Sequence, residues 1–455
     1  MISWKSPESL WLSQIEKVKP RKSASRDMSF DVAIVGGGYS GLWTAYYLKT
    51  IEPSLKIAVF DAKFAGFGAS GRNGGWASTL FSSSLQSLAD RFSPLDAVNL
   101  YNELHNSLVE IEKVTRANDI NADFHKGGTI TVARNFQQLT RAKETINEYK
   151  RFGFDTYSLL DQGKVQDRIS VPSAVGGIYT AECARIQPAK LVRGLAEVIE
   201  GLGVEIFEQS FATDIARNQL KVNGNRIEAE VIVEATEGYR SRIKGSKRRT
   251  IPIYSLMIAT RRLTNSEIQS VGLSDYETFA DERHLVIYGQ RSSDDRIVFG
   301  GRGAPYHFGS KVHPNFDDEE AIFSLLKETL YDLIPSLRGI DIEYRWGGAL
   351  GVPRDFLSFV EFDGTNYARL GGYVGDGVTT SNLSARTLAD LITGRQSALT
   401  TLPIVNPKSR NWEVEPLRAI GVNLGIQGTM RKDILEKQGK SGDFFTRIAD
   451  SLMKN

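Results

Sequence analysis

Short apolar runs alternate with helix-spaced stripes along the first third of the chain. Asp31-Val32-Ala33-Ile34-Val35 is a β-branched run that reads as a buried parallel strand. Glycines follow it at once, and then the apolar stretch Leu42 to Leu48 reads as a helix. Lys56-Ile57-Ala58-Val59-Phe60 is a second strand ending on Asp61, which completes a βαβ unit with a right-handed crossover. Leu85 to Asn118 turns helical with a break near Pro94, and Leu100, Leu104, Leu108 and Ile111 form a core-facing stripe.

Beyond this point the punctuation changes. Lys126 to Ala133 and Gly176 to Thr180 read as strands around a surface helix from Phe136 to Phe152. Pro188 opens a helix that Gly201 and Gly203 stop, and strands resume at Val204 to Phe207 and Ile227 to Glu234. Ile251 to Arg262, Leu285 to Gly289 and Arg296 to Gly300 lack βαβ spacing and read as antiparallel strands, the last two joined by a turn at Ser293-Asp294-Asp295. A helix spans Val378 to Gly394, and from Leu402 onward the chain is charged and mostly helical. The pattern predicts an α/β protein with a discontinuous Rossmann-type nucleotide domain (28–120, 185–250 and 345–400). An antiparallel-sheet substrate domain (121–184 and 251–344) and a C-terminal helical extension (401–455) complete it.

Composition narrows the function. Lys and Arg number 56 against 54 Asp and Glu, so the charge does not argue for nucleic acid. Lys244, Lys247, Arg248 and Arg249 read as a solvated turn. The lone cysteine, Cys183, excludes an internal disulfide, and no clustered metal-ligand spacing occurs. Lys17, Lys19, Arg21 and Lys22 precede no apolar leader segment, and no apolar run reaches membrane-spanning length. A metal-free, cytoplasmic protein acting on a small molecule is expected.

Gly36-Gly37-Gly38-Tyr39-Ser40-Gly41 places Gly36, Gly38 and Gly41 in a GxGxxG spacing between strand and helix. The glycines allow the tight turn and the close approach of backbone to a pyrophosphate, and the helix N-terminus meets its charge. Asp61 lies 20 residues past Gly41 at a strand end, where a carboxylate accepts ribose hydroxyls, with Ala62 beside it. These residues suit NAD or FAD equally. The loop that follows, with Gly68, Ala69, Ser70, Arg72, Asn73, Gly74 and Gly75, suits backbone lying along a bulky anionic ligand. Gly375, Asp376 and Gly377 precede the helix that begins at Val378, whose N-terminus can stabilise negative charge on a ligand.

Together these runs resemble the D-amino-acid oxidase superfamily of FAD-dependent oxidoreductases. The branch containing gamma-glutamylputrescine oxidases shares the run Gly68-Ala69-Ser70-Gly71-Arg72-Asn73-Gly74-Gly75. Asp123 to Thr129, Ala184 to Val192, Ala235 to Gly238, Phe299 to Arg302, Trp346 to Gly348 and Gly371 to Gly377 match in the same order. The resemblance implies non-covalent FAD, with Ala235, Thr236 and Gly238 closing over the nucleotide and Ala212 touching the adenine. It also places a cation, Arg302, near the flavin as the catalytic candidate. Arg291 and Arg354 are candidates for gripping a substrate carboxylate bidentately, and Tyr373 is a further substrate candidate. Leu350 and Gly351 stand where the family's Trp-x-Gly-x-Arg-Pro pattern has Arg and Pro, which argues against a simple α-amino acid.

The implied reaction is hydride transfer from a small amine or amino acid to the flavin, giving an imine that hydrolyses, with oxygen or an electron carrier as acceptor. No side-chain base is needed, so His125, His284 and His307 are read as structural. The alternatives are a dehydrogenase passing electrons to a carrier or quinone, a flavin-bearing binding protein with vestigial turnover, and a monooxygenase, for which no second dinucleotide motif is present.

Overall fold

In the computed structural model, residues 9–16, 20–243 and 248–453 are described; Lys17, Lys19, Lys244 and Lys247 lie outside them. Two large sheets organise the chain. In the first, strands run in the order Phe359–Phe362, Tyr367–Gly371, Asn225–Glu234, Met28–Val35, Ile57–Phe60 and Glu205–Phe207. All neighbours are parallel except the outer pair Phe359–Phe362 and Tyr367–Gly371. Val32, Ala33 and Ile34 are fully buried, as a central strand covered on both faces requires.

Three helices pack on this sheet: Tyr39–Ile51, Pro188–Gly201 and Gly377–Thr393, here called the turn helix, the middle helix and the late helix. The helix Pro94–Ala117 lies against the late helix, and Leu100, Leu104, Leu108 and Ile111 are buried in the same core. Pro94 sits in its first turn, where the missing N–H costs nothing, and Ser93 caps it through the Asp96 amide.

The second sheet runs Ile342–Pro353, Thr250–Thr260, Ile297–Gly301, Ile287–Arg291, Thr278–Asp281, Thr129–Ala133, Gly176–Thr180 and Tyr157–Leu160. One junction departs from an antiparallel sheet. Thr278–Asp281 runs parallel to Thr129–Ala133, because here the sheet joins two segments distant in sequence. Ile342–Pro353, which sequence reading placed largely with the nucleotide segment, pairs along its length with Thr250–Thr260. Its Trp346 is fully buried against Trp11.

The C-terminal helix Leu417–Lys437, against which Phe444–Met453 packs, is tied to loops at the ends of the second sheet's strands. The Asn423 side chain accepts the Tyr306 N–H, and Asp433 accepts the N–H groups of His284 and Leu285. Glu436 takes the Arg141 guanidinium. The extension therefore frames the segment after Gly301, where Arg302 stands. Among the described residues, no helix is long and apolar enough to cross a membrane, and no group of His, Cys, Asp and Glu could hold a metal ion.

Candidate active site

The glycine turn is built by close approach. Gly36 has φ +115°, and a Cβ there would stand 2.3 Å from the Ala235 carbonyl oxygen. A Cβ at Gly41 would stand 2.0 Å from the Gly36 oxygen, so this glycine lets the turn helix pack under the turn. The Asp61 carboxylate accepts the Gly37 N–H at 2.9 Å and the Lys63 N–H at 2.7 Å. Ser70 Oγ accepts the Tyr39 N–H at 2.9 Å, tying the downstream loop to the helix start. Gly38 caps this helix without any side-chain hydrogen bond.

A cleft of about 1270 Å³, open solvent at its mouth included, runs across this turn. Gly36, Gly38, Tyr39, Ser40, Asp61, Ala62, Gly68, Ala69, Ser70, Asn73, Ala212, Ala235, Thr236, Gly238, Gly375, Gly377 and Val378 all line it. Two distant stretches thus meet, because the parallel strands Met28–Val35 and Asn225–Glu234 end side by side. The late helix begins at the same cleft, and its cap residue Asp376 makes no side-chain capping bond.

Glu237, which sequence reading passed over, lies in the Ala235 to Gly238 turn at φ +44°. Its carboxylate accepts N–H bonds from Gly351 at 3.1 Å, Gly372 at 2.8 Å and Tyr373 at 3.3 Å. It therefore joins its own turn to the strand Ile342–Pro353 and to the loop after Gly371. Burial pushes this carboxyl up to about 7 despite those donors. Arg242, also unforeseen, lines the cleft with its guanidinium over the Phe211 ring, centroid distance 5.0 Å.

Several expected contacts are placed elsewhere. Arg72 is buried and pairs with Asp317 at 2.9 Å, while its carbonyl accepts the Trp346 indole N–H. Gly74 and Gly75 do not line the cleft, because the buried Gln290 amide donates to both carbonyls. Arg291 forks onto Asp295 and stacks over Tyr276, and Arg354 pairs with Glu413 over Trp412, so neither guanidinium reaches the cleft. Tyr373 does line it, and its hydroxyl shares a hydrogen bond with Ser40 Oγ at 2.7 Å on the glycine turn. Arg302 donates to the Val374 carbonyl and lies beside Gly375. His125, His284 and His307 contact Asp275, Glu436 and Phe316, and none lines the cleft.

Replacing Arg72 with Leu leaves Asp317 buried without its guanidinium, so the expected loss is about 3 kcal/mol of stability, as for other broken buried pairs. Chemical denaturation of the variant checks this.

These features fit an elongated anionic dinucleotide. Two helix N-termini open onto one mainly apolar cleft, with a carboxylate at the strand end for ribose hydroxyls. The model of the DAO family, described as FAD dependent oxidoreductase, matches residues 31–391. The chain belongs to this family. It is therefore an FAD-dependent oxidoreductase.

Relatives agree over most of the chain. Gamma-glutamylputrescine oxidoreductase of Escherichia coli strain K12 is 28% identical over 410 residues, covering 87% of this chain and 92% of that protein. Sarcosine oxidase subunit beta of an Arthrobacter species is 22% identical, covering 78% of this chain and 82% of its own. Among solved structures, glycine oxidase from Geobacillus kaustophilus superposes with a TM-score of 0.71 at 18% identity, over 84% of this chain and 99% of that one. L-Proline dehydrogenase from P. horikoshii gives 0.67 at 16% identity, over 85% and 96%.

Four half-buried carboxyls give the FAD-free oxidoreductase an unusual pH response. Burial pushes Asp61 and Asp376 up to about 6, and Glu237 and Glu282 up to about 7. Folded-state values above the unfolded ones mean that the folded chain holds protons the unfolded chain releases. Stability from these groups is complete below about pH 4 and is lost as pH rises through 6 to 7, by roughly 3 kcal/mol for each two-unit shift. Thermal unfolding of FAD-free protein is expected at lower temperature at pH 8 than at pH 5, with the difference reduced in Glu237→Gln.

Proposed function

We propose that this oxidoreductase oxidises the C–N bond of a small primary or secondary amine or amino acid, using non-covalent FAD and oxygen in the cytoplasm. When bound, FAD supplies a two-electron acceptor that takes hydride from the carbon next to nitrogen and passes the electrons to oxygen. The nitrogen gives up a proton, and the resulting imine is hydrolysed to an aldehyde or keto acid and an amine.

The observation that carries this reading is the late-helix end of the cleft, where the second sheet meets Gly375 and Gly377 in one lining. Ala349 and Leu350 of the strand Ile342–Pro353 line the cleft there with Gly375, and a Cβ at Gly375 would stand 3.7 Å from the Leu350 side chain. This wall orients a small molecule and excludes water, while the late-helix N-terminus offers positive potential for charge gained during reduction. Among the described residues, no His or Cys lines the cleft, which supports non-covalent cofactor binding. Arg302 supports oxygen as acceptor, since a cation at that position favours anionic oxygen species.

Oxygen consumption with an amine panel, paired with detection of aldehyde and peroxide, tests the reading. Equal molar yields of both products support it. Aldehyde formed only with an added quinone or dye points to the dehydrogenase alternative.

A further inference from the structure

At the Asp61 end of the cleft, a cation from one segment lies on an aromatic ring from another. Phe211 follows the strand Glu205–Phe207 and is pinned beside Asp61. The Gln209 and Ser210 N–H groups donate to the Lys63 and Asp61 carbonyls at 2.9 and 2.8 Å, and the Phe211 N–H donates to Asn223 Oδ1 at 3.0 Å. Arg242 closes the short helical turn Glu237–Arg242 that follows the strand Asn225–Glu234. Between these two strands the sheet holds Met28–Val35 and Ile57–Phe60. The guanidinium lies over the Phe211 ring at 5.0 Å from its centroid. The contact therefore bridges the ends of the two intervening strands, where the glycine turn and Asp61 stand.

Arg242 and Phe211 both line the cleft, as do their chain neighbours Ala212 and Ile243, with Ala62 and Lys63 following Asp61. Apart from Lys63, the side chains around the pair are apolar. A dinucleotide with its pyrophosphate at the glycine turn and its ribose at Asp61 extends its base to this end. A flat ring gains from such a wall, whereas a phosphate would give up its water to mostly apolar neighbours. A guanidinium is planar and stacks on the faces of bases, which a compact ammonium cannot do. The rival ligand for a cation here is a phosphate. Burial and then the field of Arg242 hold the Lys63 ammonium below its ordinary range, so two cations stand near one another at this end.

We propose that Arg242, seated on Phe211, selects the cofactor by stacking its guanidinium on the adenine of FAD, so that this chain tells adenine from a smaller base.

This rests on FAD lying in the cleft, and the test separates the two. FAD, and the flavin dinucleotide that carries cytosine in place of adenine, are each titrated into the FAD-free full-length protein and followed by flavin fluorescence. The two ligands share flavin, pyrophosphate and charge and differ only in the base. The unaltered protein is expected to bind FAD about tenfold more tightly, the scale of a weakened base stack. Arg242→Gln and Arg242→Lys should each bring that ratio toward one, and Phe211→Leu should lower it part of the way. Arg242 is exposed, so its replacement leaves the core in place. Equal binding of both ligands by the unaltered protein, or a preference that survives both Arg242 substitutions, overturns the inference. So does an affinity lost for both ligands alike in Arg242→Gln and restored in Arg242→Lys, which would assign a phosphate contact. Gly36→Ala decides the underlying reading: if it leaves FAD affinity unchanged, FAD does not lie in the cleft and both fall together.

Discussion

Gly36→Ala is expected to yield a folded protein that purifies without FAD. The added methyl would stand 2.3 Å from the Ala235 oxygen, and the residue would be held at φ +115°. Neither the central strand Met28–Val35 nor its neighbour Asn225–Glu234 can give way, since their registered pairing runs up to Val35 and Glu234. The turn must shift, and with it the N–H groups aimed into the cleft. Strain of about 1–3 kcal/mol alone corresponds to roughly five- to 150-fold in affinity, and the lost pyrophosphate geometry adds to it. Gly38→Ala is the informative contrast. Its methyl would meet Ser70 Oγ at 2.8 Å, a side chain that can rotate, so its FAD affinity should fall far less. FAD titration of the two apoproteins by fluorescence checks the order.

Glu237→Ala should have the next largest effect. Removing the carboxylate strands the N–H groups of Gly351, Gly372 and Tyr373 at the junction of both sheets. Unmet donors cost about 1–3 kcal/mol each when water cannot reach them, so a loss of about 3 kcal/mol and poor FAD retention are expected. Glu237→Gln keeps an acceptor oxygen at the same place and should retain more FAD than the alanine variant. Urea unfolding and the ratio of flavin to protein absorbance give the two readouts.

Much of this architecture was legible in the chain, for physical reasons. Asp31 to Val35, the glycine spacing and Asp61 are local features whose neighbours in sequence are also neighbours in space. The helix starts at Pro94 and Pro188 were readable because proline tolerates the first helical turn. The arginines were less legible because a guanidinium reveals its partner only after folding. Arg72, Arg291 and Arg354 find Asp317, Asp295 and Glu413, and only Arg302 stays beside the cleft's end. Asp295 was within reach, four residues from Arg291 across a turn already recognised. Asp317 lies 245 residues from Arg72, and no local pattern links them. Glu237 stood inside a recognised turn, yet its three partners come from segments more than a hundred residues away. Trp11 was equally hidden: its indole N–H holds the Asn73 carbonyl at 2.8 Å across a sequence gap that periodicity cannot bridge.

The measurement that tests the account most directly is the absorbance of the purified FAD-loaded protein, followed without oxygen while small amines and amino acids are added. The account predicts that the oxidised flavin band disappears with at least one amine, that aldehyde or keto acid forms in equal amount, and that the band returns when air is admitted. A flavin that no amine or amino acid bleaches, but that NADPH reduces, would contradict it.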